Sequence, residues 1–130
     1  MKAEGTGEKR APLIMVIEDD DSVRTLMVRS LQAAGFRAVA APDGYSAVHQ
    51  ARREHPDLIL SDLMLPGLDG GTALLSIKDE PGLESTPVIL VSGDGEIAVR
   101  AEETGAADYV PKPFLPGDLV RRVRRVLDGR

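Results

Sequence analysis

Apolar positions along this chain alternate between two rhythms. Leu13–Ile17, Leu58-Ile59-Leu60 and Val88-Ile89-Leu90-Val91 are unbroken apolar runs, the pattern of strands buried on both faces. Between them the spacing becomes helical. Asp21-Ser22 opens a stretch that places Val23, Leu26, Met27, Leu31 and Ala34 on one face, and Gly35 stops it. A weaker strand follows at 36–41. Pro42-Asp43-Gly44 then turns the chain into a helix carrying Ala47, Val48 and Ala51, which Pro56 ends before a strand at 57–62. Residues 65–70 have the composition of a loop. A helix over 72–79 carries Leu74, Leu75 and Ile77 and breaks at Pro81-Gly82. A strand at 87–91, a short helix at 96–103 and a strand at 107–110 lead to a last helix at 118–127. That helix turns Leu119, Val120, Val123, Val126 and Leu127 inward and Arg121, Arg122, Arg124 and Arg125 outward. Strand and helix alternating five times predicts an α/β fold, a parallel sheet covered by helices on both faces.

In such a sheet every strand ends at the same edge, and ligands bind in the crevice outside it. Here the strand ends carry chemistry. The first runs into Glu18-Asp19, the third into Ser61-Asp62, the fourth into Ser92, and the fifth leads to Lys112-Pro113-Phe114. Adjacent acids after a buried strand repel each other unless a cation offsets them. With Asp62 they form an all-oxygen, highly charged site that suits a hard cation such as Mg²⁺. Asp20 and Asp21 are accounted for as caps of the first helix. Capping explains Glu18 and Asp19 poorly, because a cap needs one acid and these two stand on the strand end. Asp62, ahead of a Pro-Gly loop, can serve as metal ligand, base, or nucleophile forming an acyl phosphate. Lys112 offers an ammonium to that carboxylate or to a phosphoryl oxygen, and Ser92 offers a hydroxyl. Singly each is an ordinary cap or solvated side chain; together they describe an active site.

Other chemistries fail on spacing. There is no GxxxxGK[ST] phosphate loop and no calcium-binding acid loop, and His49 and His55 are more than one helical turn apart. Packing or solvent accounts for both histidines. The 130 residues suit one domain, expected over 11–130 behind a polar, disordered lead-in at 1–10. With 42% hydrophobic and 3% aromatic residues, the core is aliphatic. A net charge of −5 argues against direct nucleic-acid binding despite the basic last helix. The absence of Cys removes disulfides and thiolate metal sites. No apolar run approaches the roughly 18 residues of a membrane span, so a cytoplasmic protein without membrane contact is expected.

Four stretches carry a family resemblance. They are Val16-Ile17-Glu18-Asp19-Asp20, Leu58-Ile59-Leu60-Ser61-Asp62-Leu63-Met64-Leu65-Pro66-Gly67-Leu68-Asp69-Gly70, Val88-Ile89-Leu90-Val91-Ser92, and Gly105-Ala106-Ala107-Asp108-Tyr109-Val110-Pro111-Lys112-Pro113-Phe114. Together they resemble the receiver domains of two-component response regulators, over about residues 12–128. The resemblance implies a flavodoxin-like doubly wound sheet of five strands in the order 2-1-3-4-5. It implies that Asp62 accepts a phosphoryl group from a sensor histidine kinase or a histidine phosphotransfer protein, and that the chain catalyses only its own phosphorylation and dephosphorylation. Mg²⁺ is implied as cofactor, held by Asp19, Asp62, the backbone carbonyl of Met64, and Glu18 directly or through water. Lys112, next to a cis Lys112-Pro113 peptide, and Ser92 would contact the phosphoryl group. Ser92 and Tyr109 would form the switch that alters the face made by the fourth helix, fifth strand and fifth helix. A downstream effector, or a second copy in a phosphorylation-dependent homodimer, would bind there.

Some positions depart from the commonest family pattern: Glu18 replaces Asp, Ser92 replaces Thr, and Met64 and Asp94 occupy positions that tune phosphoryl lifetime. Two other readings compete. The chain can be the receiver piece of a longer transcriptional regulator or hybrid kinase. It can also be a haloacid-dehalogenase-like hydrolase, although Asp62-Leu63-Met64 lacks the second acid that such a site requires.

Overall fold

The computed structural model describes residues 10–62 and 70–129. Five strands, β1 (Leu13–Ile17), β2 (Arg37–Ala41), β3 (Leu58–Ser61), β4 (Val88–Ser92) and β5 (Asp108–Pro111), alternate with five helices, α1 (Asp21–Ala33), α2 (Gly44–Glu54), α3 (Gly70–Lys78), α4 (Ile97–Thr104) and α5 (Pro116–Asp128). The strands form one sheet in the order β2-β1-β3-β4-β5, all pairs parallel. This is the expected doubly wound arrangement.

The two-residue period of a strand divides the core. Met15, Ile17, Ile59 and Leu90 point to one face, against Ala47 and Ala51 of α2, Leu74 and Ile77 of α3, and Ile97 and Ala101 of α4. Ile14, Val16, Leu58, Leu60, Ile89 and Val91 point to the other, against Met27 and Leu31 of α1 and Leu119 and Val123 of α5. Because β1, β3 and β4 are covered on both sides, they read as continuous apolar runs. The edge strands β2 and β5 are partly exposed and read more weakly.

Local chemistry sets the ends of the helices. Asp20 caps α1 by accepting from the Val23 amide at 2.9 Å, and Asp43 caps α2 through the Ser46 amide at 2.8 Å. Gly105 ends α4 in the left-handed region at φ 72°, a conformation glycine takes without a side-chain clash. His55 caps the end of α2 at φ 50°.

Two apolar residues depart from the sequence expectation. On α1 the buried stripe follows the four-residue spacing Val23, Met27, Leu31, and Leu26 falls on its shoulder, 43% exposed against 1% for Met27. On α3 Leu75 is likewise exposed, while its neighbours Leu74 and Ile77 are buried. Periodicity marks a face but not its width; the packing partners set that. Met27→Ala is expected to cost about 2–4 kcal/mol through lost burial and a residual cavity. Leu26→Ala should stay within about 0.5 kcal/mol. Urea denaturation of the two neighbouring variants measures the difference.

Candidate functional site

The site residues are held in place by the sheet. Glu18, Asp62 and Lys112 each lie one residue beyond a strand, yet their amides remain in the ladder of hydrogen bonds. Glu18 donates to the Ala41 carbonyl at 3.1 Å, Asp62 to that of Ile17 at 3.1 Å, and Lys112 to that of Ser92 at 2.9 Å. The pairing of β1 with β3 sets Glu18 beside Asp62, at the point where the strand order reverses.

The Lys112 ammonium reaches across this edge and donates to Glu18 Oε1 at 2.6 Å and to Asp62 Oδ2 at 2.7 Å. Glu18 is 1% exposed and Asp62 7%, while Asp19 is open to solvent. Carboxylate oxygens of Glu18, Asp19 and Asp62 lie within 4.8 Å of one another. The Lys112-Pro113 peptide is cis. Asp20, besides capping α1, donates its amide to Glu18 Oε2 at 3.1 Å.

Burial pushes the Glu18 carboxyl above its ordinary range; the hydrogen bonds from Lys112 and the Asp20 amide offset this in part, and the Asp62 charge adds to it. At Lys112 burial alone would favour the neutral amine, but the hydrogen bonds and charges of Asp62 and Glu18 outweigh it and hold the ammonium above its usual value. Lys112 thus pairs with two of the three clustered carboxylates, Glu18 and Asp62. The donors are all oxygen, negative charge is in excess, and exposed Asp19 leaves a path from solvent. That combination suits a hard divalent cation.

Ser92 is buried at the end of β4, and its Oγ accepts from the Asp94 amide at 3.1 Å. The Asp94 carboxylate in turn stands 3.7 Å from Arg100 on α4. Tyr109 is half-buried on β5 against the core, with the Arg122 guanidinium 5.8 Å from its ring centre. Met64 lies outside the described residues. His49 and His55 stand apart from the site, on the outside and at the end of α2.

The structure adds contacts that the sequence reading lacked. Arg24 donates from Nη1 to the backbone carbonyls of Glu18 at 3.0 Å and Asp19 at 3.5 Å, and pairs through Nη2 with Asp21. Its place one turn into α1 is the signal that could have located it. Of the four α5 arginines expected to face outward, Arg122 and Arg125 turn back onto Asp108, at 3.0 and 3.2 Å. An acid on β5 followed by basic residues one turn apart on α5 is visible in the sequence, but the crossing that joins them is not.

Fold and site together define a doubly wound α/β domain with a lysine-paired acidic cluster at the carboxyl edge of its sheet. The sequence model of the response regulator receiver domain matches residues 14–124, and the chain belongs to that family. It is 41% identical over 116 residues to the phosphate regulon transcriptional regulatory protein PhoB of Escherichia coli, covering 88% of this chain and 51% of that protein. The chain therefore spans about half the length of that relative. Among solved structures, it resembles a putative response regulator of Chloroflexus aurantiacus with a TM-score of 0.84 at 32% identity, over 91% of this chain and 98% of that one. It also resembles the receiver domain of the sensor histidine kinase PA1611 of Pseudomonas aeruginosa, with a TM-score of 0.82 at 30% identity over 91% and 98% of the two chains; that structure has a magnesium ion coordinated in its active-site cleft. Membership in a family of signalling switches favours the receiver over the hydrolase reading of the aspartyl site. Among the described residues no helix is long and apolar enough to cross a membrane.

Lys112 and Asp19 should respond oppositely to substitution in the metal-free protein. Lys112→Met leaves Glu18 and Asp62 buried without their shared cation, and should cost about 2 kcal/mol or more at pH 7. Its removal drives the folded-state pKa of Glu18 further above the unfolded value. The deficit relative to wild type should therefore grow as pH rises through that raised pKa and shrink as pH falls toward 4.5. Asp19→Asn, which removes an exposed like charge, should leave stability equal or higher by no more than about 1 kcal/mol. Chemical denaturation between pH 4.5 and 7 in the presence of a chelator measures both.

Proposed function

We propose that Asp62 is the phosphoryl acceptor of a two-component signalling switch. The observation that carries this reading is the Asp62 carboxylate at the carboxyl edge of the sheet, joined at 2.7 Å to Lys112 and grouped within 4.8 Å of Glu18 and Asp19. An Asp62 oxygen attacks the phosphorus of a phosphohistidine on a sensor kinase or phosphotransfer protein. The P–O bond forms as the P–N bond breaks, and the imidazole leaves after taking up a proton. Asp19 and Asp62, with Glu18 directly or through water and the Met64 carbonyl, would hold a Mg²⁺ ion, which when bound would supply neutralisation of the negative charge gathered around the transferring group.

The chain's own groups do the rest. Lys112, already bonded to the Asp62 carboxylate, neutralises the phosphoryl oxygens that arrive there. Ser92 exchanges its role as acceptor of the Asp94 amide for donation to a phosphoryl oxygen, which removes a restraint from the turn leading into α4. The Tyr109 ring follows inward on β5. These moves shift an existing equilibrium of the α4–β5–α5 face, where an effector or a second phosphorylated copy binds. The domain spans 11–130 and acts in the cytoplasm, catalysing only its own phosphorylation and dephosphorylation.

Acetyl phosphate with Mg²⁺ is expected to label the wild type, and Asp62→Asn is expected to abolish the label. Label persisting at the same site in that variant would overturn the assignment; intact-mass spectrometry reads the added phosphoryl group. Adding beryllofluoride, a phosphoryl mimic, should shift amide resonances across 97–125 in the wild type. Ser92→Ala, short of one hydrogen bond worth about 1 kcal/mol, should weaken those shifts without erasing them. Shifts confined to the surroundings of Asp62 in the wild type would refute the switch.

A further inference from the structure

Two of the three carboxylates of the site stand on consecutive residues in the short passage between β1 and α1. Most polar backbone groups of this passage have partners within the fold. The Glu18 amide bonds to Ala41, the Asp20 amide to Glu18 Oε2, and the Asp20 carbonyl to the Arg24 amide. Among the described residues, neither the sheet ladder nor the helix supplies a backbone donor to the carbonyls of Glu18 and Asp19. Arg24 reaches both with Nη1, at 3.0 and 3.5 Å, while Nη2 is steered by Asp21. Its side chain is 22% exposed.

We infer that Arg24 is a positioning residue for the cation site, fixing the Glu18-Asp19 backbone so that their carboxylates stand ready for the metal. The inference rests on the reading of Glu18, Asp19 and Asp62 as the metal-binding acids. A planar guanidinium has its donors in a fixed fork, so one side chain on the rigid first turns of α1 can hold two carbonyls and a carboxylate at once. Without it, binding a cation would have to order these residues, and fixing a backbone residue costs about 1–2 kcal/mol.

Coulomb's law alone predicts the reverse. Arg24 brings a positive charge to the rim of a cation site, and deleting it should strengthen binding. Positioning and simple charge therefore give opposite signs for the same substitution. Salt separates them further, because an exposed charge effect fades as ionic strength rises and a geometric one does not.

The test is calorimetric titration with Mg²⁺ alone on wild type, Arg24→Ala, Arg24→Lys and Asp19→Asn, at low and high ionic strength, with thermal melts in chelator. Arg24→Ala is expected to weaken Mg²⁺ binding about 10-fold or more, the scale seen when partners that orient metal ligands are removed. The loss should persist at high salt, with the metal-free melt little changed. Arg24→Lys, which keeps the charge and a single-point donor, should fall between wild type and Arg24→Ala. It also serves as the measured variant should Arg24→Ala fold poorly. Binding by Arg24→Ala that equals or exceeds wild type overturns the inference, as does Arg24→Lys behaving like wild type while Arg24→Ala only loses stability. In either case loss of binding in Asp19→Asn leaves the metal site itself standing. A wild type that binds no Mg²⁺ overturns both.

Discussion

Like charge forced together is the constraint around which this structure is organised. Glu18 and Asp62 leave neighbouring strands with their amides still in the ladder, so neither can retreat from the other without breaking main-chain hydrogen bonds. Lys112 relieves the repulsion by bonding to both, and its own backbone is fixed by a hydrogen bond from its amide to the Ser92 carbonyl at the end of β4. The apolar interior on both faces of β1, β3 and β4 supplies the burial that keeps these backbones where they are. An excess of negative charge remains, and the fold does not let it relax, which suits the site to a cation.

Much of this arrangement is legible in the chain. The central strands announce themselves because burial on both faces requires unbroken apolar runs, and in a parallel sheet the residues that follow those runs must share an edge. Glu18, Asp62, Ser92 and Lys112 can all be located by that rule. What the sequence conceals depends on pairs of elements. The exposure of Leu26 and Leu75 follows from how far α1 and α3 roll against their neighbours. Arg24 is easily taken for a solvated helix residue because its partners are carbonyls, which carry no residue-type signal. Arg122 and Arg125 read as a basic face because their acid, Asp108, lies on a different element.

The structure is also unevenly restrained around the site. The starts of α1 and α2 are tied by Asp20 and Asp43, whereas Glu96 makes no side-chain capping bond at the start of α4. The turn into α4 relies on Asp94, which receives the Glu96 amide on its carboxylate at 2.8 Å and gives its own amide to Ser92. This helix of 8 residues rests on that turn and on the burial of Ile97 and Ala101. Its restraint ends at the Ser92 hydroxyl, on the same sheet edge as Glu18, Asp62 and Lys112.

The double ion pair of Asp108 with Arg122 and Arg125 affects how any partner meets the α5 surface. These two arginines share one carboxylate of the protein itself, which offsets one of their two charges. An acidic partner that engages them competes with Asp108 for part of that charge. Fewer small ions are then released on association than from two unpaired arginines, and the salt dependence of affinity at this surface is weakened. Discrimination passes from the amount of charge a partner carries to whether its carboxylates match the spacing of two guanidinium groups one helical turn apart. A bulk polyanion gains little from such a surface, and a folded protein with a fixed pair of acids gains a great deal.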